Sequence, residues 1–131
     1  MDRTVVVGGG AMGAATAWWL ARSGRPVTLL ERFAPGHDRG SSHGSSRIFR
    51  FSYADRRYVD LAVRAHTLWR DLEQEAQVGL LTATGCLDHG PRAAVEPLRR
   101  ALEAAGVAHE TLSPVQAGER WPRLRFDEQV L

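Results

Sequence analysis

Val5-Val6-Val7-Gly8-Gly9-Gly10-Ala11-Met12-Gly13 begins the stretch that decides the fold, and Val27-Thr28-Leu29-Leu30-Glu31-Arg32 ends it. Three β-branched residues run into glycines spaced G-x-G-x-x-G at Gly8, Gly10 and Gly13. An Ala-rich, helix-length segment comes next, Gly24 stops it, and a second apolar strand ends on an acid 18 residues after the last glycine. That order is the βαβ unit of dinucleotide-binding proteins. Gly8 is expected to turn the chain sharply off the first strand, since without a Cβ it takes positive φ. Gly10 removes a side chain where backbone must approach a pyrophosphate, and Gly13 lets the helix pack closely on the strands. The helix start at Ala11 and Met12 offers unpaired N–H groups and the positive end of its dipole to phosphates. Glu31 can accept hydrogen bonds from both ribose hydroxyls and would repel a 2′-phosphate, which argues against an NADP-type ligand. The motif alone does not choose between NAD and FAD.

The 131 residues suit one domain, and the 44% hydrophobic and 24% charged content is that of a soluble globular protein. Net charge is only +2, and all 17 basic residues are arginines. Five Arg and two Asp lie between His37 and Arg57, a local excess of +3. This cluster lacks the interleaved aromatics of a single-strand platform, so anionic small-molecule groups are expected as partners rather than nucleic acid. The single cysteine, Cys86, excludes an internal disulfide and a CxxC zinc site, and the five histidines show no HxxxH or HExxH spacing. No metal is expected. No signal peptide is expected before the first strand, since Met1-Asp2-Arg3-Thr4 is polar and the apolar run after it is broken by glycines. The longest apolar stretch, residues 14–21, falls far short of the roughly 20 residues of a membrane helix. The expectation is a cytoplasmic chain with no membrane partner.

Along the chain, the first helix spans about residues 11–22, with Trp18 and Trp19 pointing about 100° apart. Residues 33–46 are Gly, Pro, Ser and His-rich loop. Asp55 is a plausible N-cap for an amphipathic helix whose stripe, Tyr58, Leu61, Ala62, Ala65, Leu68, Trp69, Leu72 and Ala76, reads as core. Residues 79–84 and 86–89 read as two short strand pieces bent at Gly85, with Cys86 buried and inert in the second. A helix is expected over about residues 93–105, restarting at Pro97, and residues 107–112 read as a strand. Ser113, Pro114 and Gln116 announce another helix, which stops by Trp121-Pro122. A parallel sheet needs several strands covered on both faces. The opening supplies two, nothing later repeats the crossover, and residues 124–131 bring no closing element, so the chain reads as unfinished.

With residues 40–53 in view, the sequence resembles the FAD-dependent amine oxidases of the monomeric sarcosine oxidase and N-methyltryptophan oxidase family. The likeness rests on residues 8–13, on Glu31-Arg32, and on Gly40-Ser41-Ser42-His43-Gly44-Ser45-Ser46-Arg47-Ile48-Phe49-Arg50-Phe51-Ser52-Tyr53. Residues 58–62, Leu68-Trp69, residues 84–87 and Arg120-Trp121-Pro122 continue it. The resemblance implies FAD as cofactor, often covalently tethered, and oxidation of secondary or N-methyl amino acids, with electrons passing to flavin and oxygen. It implies that Gly8, Gly10, Ala11, Met12, Gly13, Glu31, Arg32, Ser41, Ser42, His43 and Arg47 bind the cofactor. It further implies that Arg50 pairs with the substrate carboxylate while His43 and Arg47 lie on the flavin side. A planar guanidinium matches a carboxylate with two parallel hydrogen bonds. The alternative to these roles is that Arg47 and Arg50 are solvated or structural and that His43 is an ordinary loop histidine. The family's flavin-linking cysteine and oxygen-activating lysine lie later than anything present here; Cys86 is not that cysteine, and the chain has no lysine.

The reading is an α/β fold, incomplete as given: a Rossmann-like FAD-binding βαβ unit with its flavin-side loop over residues 1–54, then part of an α+β substrate region over 55–131. The function expected is the N-terminal part of a sarcosine-oxidase-like enzyme, acting on a small amino acid, with the remaining C-terminal part as partner. The alternative is a non-catalytic nucleotide-binding module or partner subunit. The gene beyond Leu131 separates the two: further strands, a Cys and a Lys support the oxidase, and a stop codon supports the module. An NAD-dependent dehydrogenase is disfavoured by the loop over residues 40–50, which replaces a compact βαβ continuation.

Overall fold

The computed structural model describes residues 3–131, which divide into two units between Ile48 and Phe49. In the first, β1 (Thr4–Val7) and β2 (Val27–Leu30) pair in parallel, Thr4 opposite Val27 and Val7 opposite Leu30. The crossover between them is α1 (Ala11–Arg22). α1 ends in a Schellman motif: Gly24 takes φ +73°, its N–H donates to the Ala21 carbonyl, and the Arg25 N–H donates to that of Leu20. Alternation along β1 turns Val6 toward α1 and leaves Val5 and Val7 on the opposite, uncovered face, 52% and 81% exposed. Trp18 and Trp19 meet edge to face with centroids 5.1 Å apart, and Trp19 remains half-exposed.

The second unit is built on α2 (Arg56–Ala76) and α3 (Arg92–Ala104). Asp55 caps α2 by accepting the Arg57 N–H at 2.9 Å. Val59 on α2 packs with Ala101 and Leu102 on α3, and Phe51, Tyr53, Ala105, Val107 and Leu131 close around them. This corrects the expected core stripe: Tyr58, Leu61, Leu68 and Trp69 are 57%, 60%, 39% and 40% exposed. Within that stripe only Ala62 is buried, and α3 meets α2 at Val59, which lies off it. α3 also passes through Pro97 without restarting.

Strand content is corrected too. Residues 79–88 hold no strand; only β3 (His89–Gly90) pairs, antiparallel, with β4 (Gln129–Val130). The expected strand over residues 107–112 reduces to one bridge, Leu112 to Val130. The end of the chain does supply a closing element. Val130 lies between Leu112 and His89 and is 1% exposed. α4 (Pro114–Arg120) carries the expected capping box, with Ser113 and Gln116 each accepting the other's backbone N–H. Among the described residues, no helix is long and apolar enough to cross a membrane.

The failed strand at Leu80-Leu81 has a specific cause. Glu73 Oε1 accepts both their N–H groups, at 2.6 and 2.7 Å, while Oε2 takes Arg70 Nη1 at 2.6 Å. The Leu81 amide, then Arg70 and the Leu80 amide, hold the carboxyl down at about 2 from its ordinary 4.5. The unfolded chain therefore binds this proton more tightly, so the stabilisation is complete above about pH 4.5 and is lost as pH falls toward 2. Glu73→Gln should lower the urea midpoint at pH 7, followed by circular dichroism, and its difference from the native chain should shrink across that window. In the first unit, a Cβ on Gly13 would stand 1.8 Å from the Gly8 carbonyl oxygen. Alanine's helix propensity favours it by about 1 kcal/mol. Overpacking costs about 3 kcal/mol, and here the obstacle is backbone. Gly13→Ala should therefore destabilise the unit, seen as faster amide exchange in β1.

Candidate functional site

The end of β1 and the start of α1 form a cradle of bare backbone. Gly8 takes φ +98° and donates its N–H to the Leu30 carbonyl at 2.7 Å, extending the ladder one residue before the chain turns. Gly10 is the N-cap of α1 and has no side chain to satisfy the first turn. The N–H of Ala11 donates to Ser42 Oγ at 2.9 Å, and those of Met12 and Gly13 have no partner among the described residues. The helix dipole adds partial positive charge at the same point.

Glu31 comes directly after β2. Its Oε2 accepts the Gly9 N–H at 2.6 Å and its Oε1 accepts the Phe33 N–H at 3.0 Å, with His37 Nε2 3.6 Å away. The Gly9 amide foremost, then that of Phe33, lowers the carboxyl's pKa and keeps it ionised. A carboxylate offers about four lone-pair sites, so acceptor capacity remains for further donors. A Cβ on Gly9 would come within 3.2 Å of Glu31 Oε2. Gly9 thus joins the cradle although the spacing rule treats it as the free position; three consecutive glycines were the signal that could have found it. Arg32 lies over the Phe33 ring at 5.4 Å, and Phe33 contacts His37 at 4.9 Å.

The loop over residues 40–47 belongs to the same unit. Arg47 knits it, donating from Nη2 to the Ser41 carbonyl at 2.8 Å and from Nη1 to that of Ser46 at 2.7 Å. Gly44 passes beneath the guanidinium with φ +101°, where a Cβ would stand 3.0 Å from Nη1. His43 Nδ1 is bonded to the Gly40 carbonyl. A carbonyl only accepts, so Nδ1 is the donor in this contact. Ser42 is therefore seated on the helix start by a loop held through its own arginine.

Arg50 lies in the second unit. It is exposed, 4.9 Å from the Tyr53 ring centre, and forms no ion pair among the described residues. Cys86, expected to be buried, is exposed, with Sγ 3.8 Å from Asp88 Oδ2 and 3.9 Å from Ser52 Oγ. It lies in the segment over residues 79–88, which forms no strand. Among the described residues no cluster of three His, Cys, Asp or Glu side chains could hold a metal.

The residues present fit a dinucleotide. Unpaired amides at a helix start, glycines whose Cβ would meet neighbouring atoms, and an ionised acid at the second strand end match phosphate and ribose chemistry. Comparison with known proteins supports this. Monomeric sarcosine oxidase of Bacillus sp. (strain NS-129) is 39% identical over 121 residues, covering 89% of this chain and 31% of that protein. N-methyl-L-tryptophan oxidase of Yersinia pestis (strain Pestoides F) is 31% identical over 121 residues, covering 90% and 33%. Among solved structures, NikD, an unusual amino acid oxidase essential for nikkomycin biosynthesis, superposes with a TM-score of 0.74 at 27% identity, over 99% of this chain and 35% of that one. The chain thus spans about a third of the length of these relatives. The family model of FAD-dependent oxidoreductases matches residues 3–130, nearly the whole chain, and the chain belongs to that family.

Proposed function

We propose that this chain is the N-terminal, FAD-binding part of an oxidase that acts on the C–N bond of a secondary or N-methyl amino acid. The carrying observation is Glu31, held ionised by the Gly9 amide beside the open start of α1. Its remaining lone pairs accept from the ribose hydroxyls, and its charge rejects a 2′-phosphate. The amides of Met12 and Gly13, unpaired among the described residues, and the hydroxyls of Ser41 and Ser42 receive the phosphates, Ala11 seating Ser42 through its N–H. Gly8 and Gly10 keep the approach clear and Arg32 adds positive charge. His43 and Arg47 sit on the flavin side, where a cation stabilises negative charge on the reduced ring. Arg50 binds the substrate carboxylate through paired N–H donors. The chemistry supplied by bound FAD is acceptance of two electrons from the C–N bond, with oxygen as final acceptor and an imine and hydrogen peroxide as products.

The names of the relatives support the substrate class. Residues 1–54 are read as the cofactor side and 55–131 as the start of the substrate region. The remaining part of the same oxidase covers the bare β-face at Val5 and Val7 and the apolar stripe on α2, as parallel sheets require. A single cysteine suits a reducing compartment, and we place the enzyme in the cytoplasm.

Titration of the purified chain with FAD, followed by flavin fluorescence, tests the reading. Glu31→Gln should weaken binding about tenfold, about 1.4 kcal/mol, the scale of hydrogen bonds to a charged group; an unchanged affinity would remove Glu31 from the ribose. With FAD and sarcosine added, the 131-residue chain should release no hydrogen peroxide, whereas the whole oxidase should. Peroxide from the contaminant-free chain alone would place catalysis within these residues.

A further inference from the structure

Several arginines of the second unit are engaged in ion pairs. Arg56, Arg57 and Arg70 close on Asp60, Asp55 and Glu73. Such pairing fixes a guanidinium but consumes its N–H donors and offsets its charge. Arg50 is held differently. It forms no ion pair or hydrogen bond among the described residues, and its Cζ lies 4.9 Å from the centre of the Tyr53 ring. Tyr53 is itself half-buried: it packs against the Val59–Ala101–Leu102 core, and its ring meets that of Tyr58 at 5.8 Å. An aromatic face attracts a cation through its quadrupole and accepts no N–H in the plane of the guanidinium. A cation resting on a core-anchored ring keeps its full charge and its donor edges for a ligand.

The geometry points to Tyr53 as the positioning residue that holds Arg50 ready for a carboxylate-bearing ligand. This rests on the assignment of Arg50 to the substrate carboxylate, and it adds the group that sets the guanidinium's place. The ring contributes through its face, so its hydroxyl is dispensable.

The test uses the flavin-loaded whole enzyme and methoxyacetate, a sarcosine isostere with no oxidisable C–N bond, with binding read from the flavin absorbance. Tyr53→Leu should raise the Kd of methoxyacetate about fivefold, the scale of a partly exposed cation–π contact. Tyr53→Phe should change it less than twofold, and neither variant should alter the Kd of the neutral methoxyacetamide. With sarcosine, Tyr53→Leu should raise KM and spare kcat. Flavin content equal to the native enzyme certifies the fold, and Tyr53→Met replaces the leucine variant if that one does not load. If Arg50→Ala weakens methoxyacetate binding while removal of the ring does not, the role given to Tyr53 is wrong. If Arg50→Ala leaves binding unchanged, the carboxylate assignment itself falls, and Tyr53 with it.

Discussion

The hydrogen bond from the Gly9 N–H to the Glu31 carboxylate spans 22 residues and joins the ends of the two strands of the first unit. It depends on a missing side chain, since a Cβ on Gly9 would crowd the carboxylate. It also depends on the turn at Gly8, which aims the next amide across the strand ends. In return the amide keeps Glu31 ionised and fixes where its other lone pairs point. Strand register, acid charge and the nucleotide cradle thus meet in one contact. Replacing this acid to change cofactor preference would also remove this link between the turn after β1 and the end of β2.

The two units are stabilised by different means. The first has a two-stranded sheet with one face covered, and most of its organisation is polar: Glu31 on two amides, Ser42 on the α1 start, Arg47 on two carbonyls. The second has a small apolar centre around the fully buried Val59, with ion pairs along its helices. Glu96 shows the pattern on α3. Arg99 and Arg100 both bond to it, and they hold its carboxyl at about 2.

Features written in consecutive residues were legible in the sequence. G-x-G-x-x-G with its acid located the turn and the crossover, and Ser113, Pro114 and Gln116 located a capped helix, because each signal acts within a few residues of itself. Features that depended on distant partners were not legible. Two-residue strands such as Gln129–Val130 have no period to detect, and the strand-like Leu80-Leu81 gave its amides to a carboxylate seven and eight residues away. The α2 pattern marked an apolar stripe but could not name the edge α3 would meet. In the cradle, the spacing picked out Gly8, Gly10 and Gly13 but passed over Gly9, whose importance comes from Glu31. The exposed Cys86 shows the same limit, since residue type alone suggested burial.

The placement of Val130 between Leu112 and His89 has a consequence for synthesis. The hydrogen bonds described for the turn, the acid and the loop of the first unit lie within residues 4–47, so these contacts have both partners once that stretch has left the ribosome. The second cannot close its small sheet until residue 130 has emerged, because its middle strand is the last to be made. Domains generally acquire structure in the order they are translated. The residues of the nucleotide cradle are therefore all translated well before the strand that completes the small sheet of the second unit.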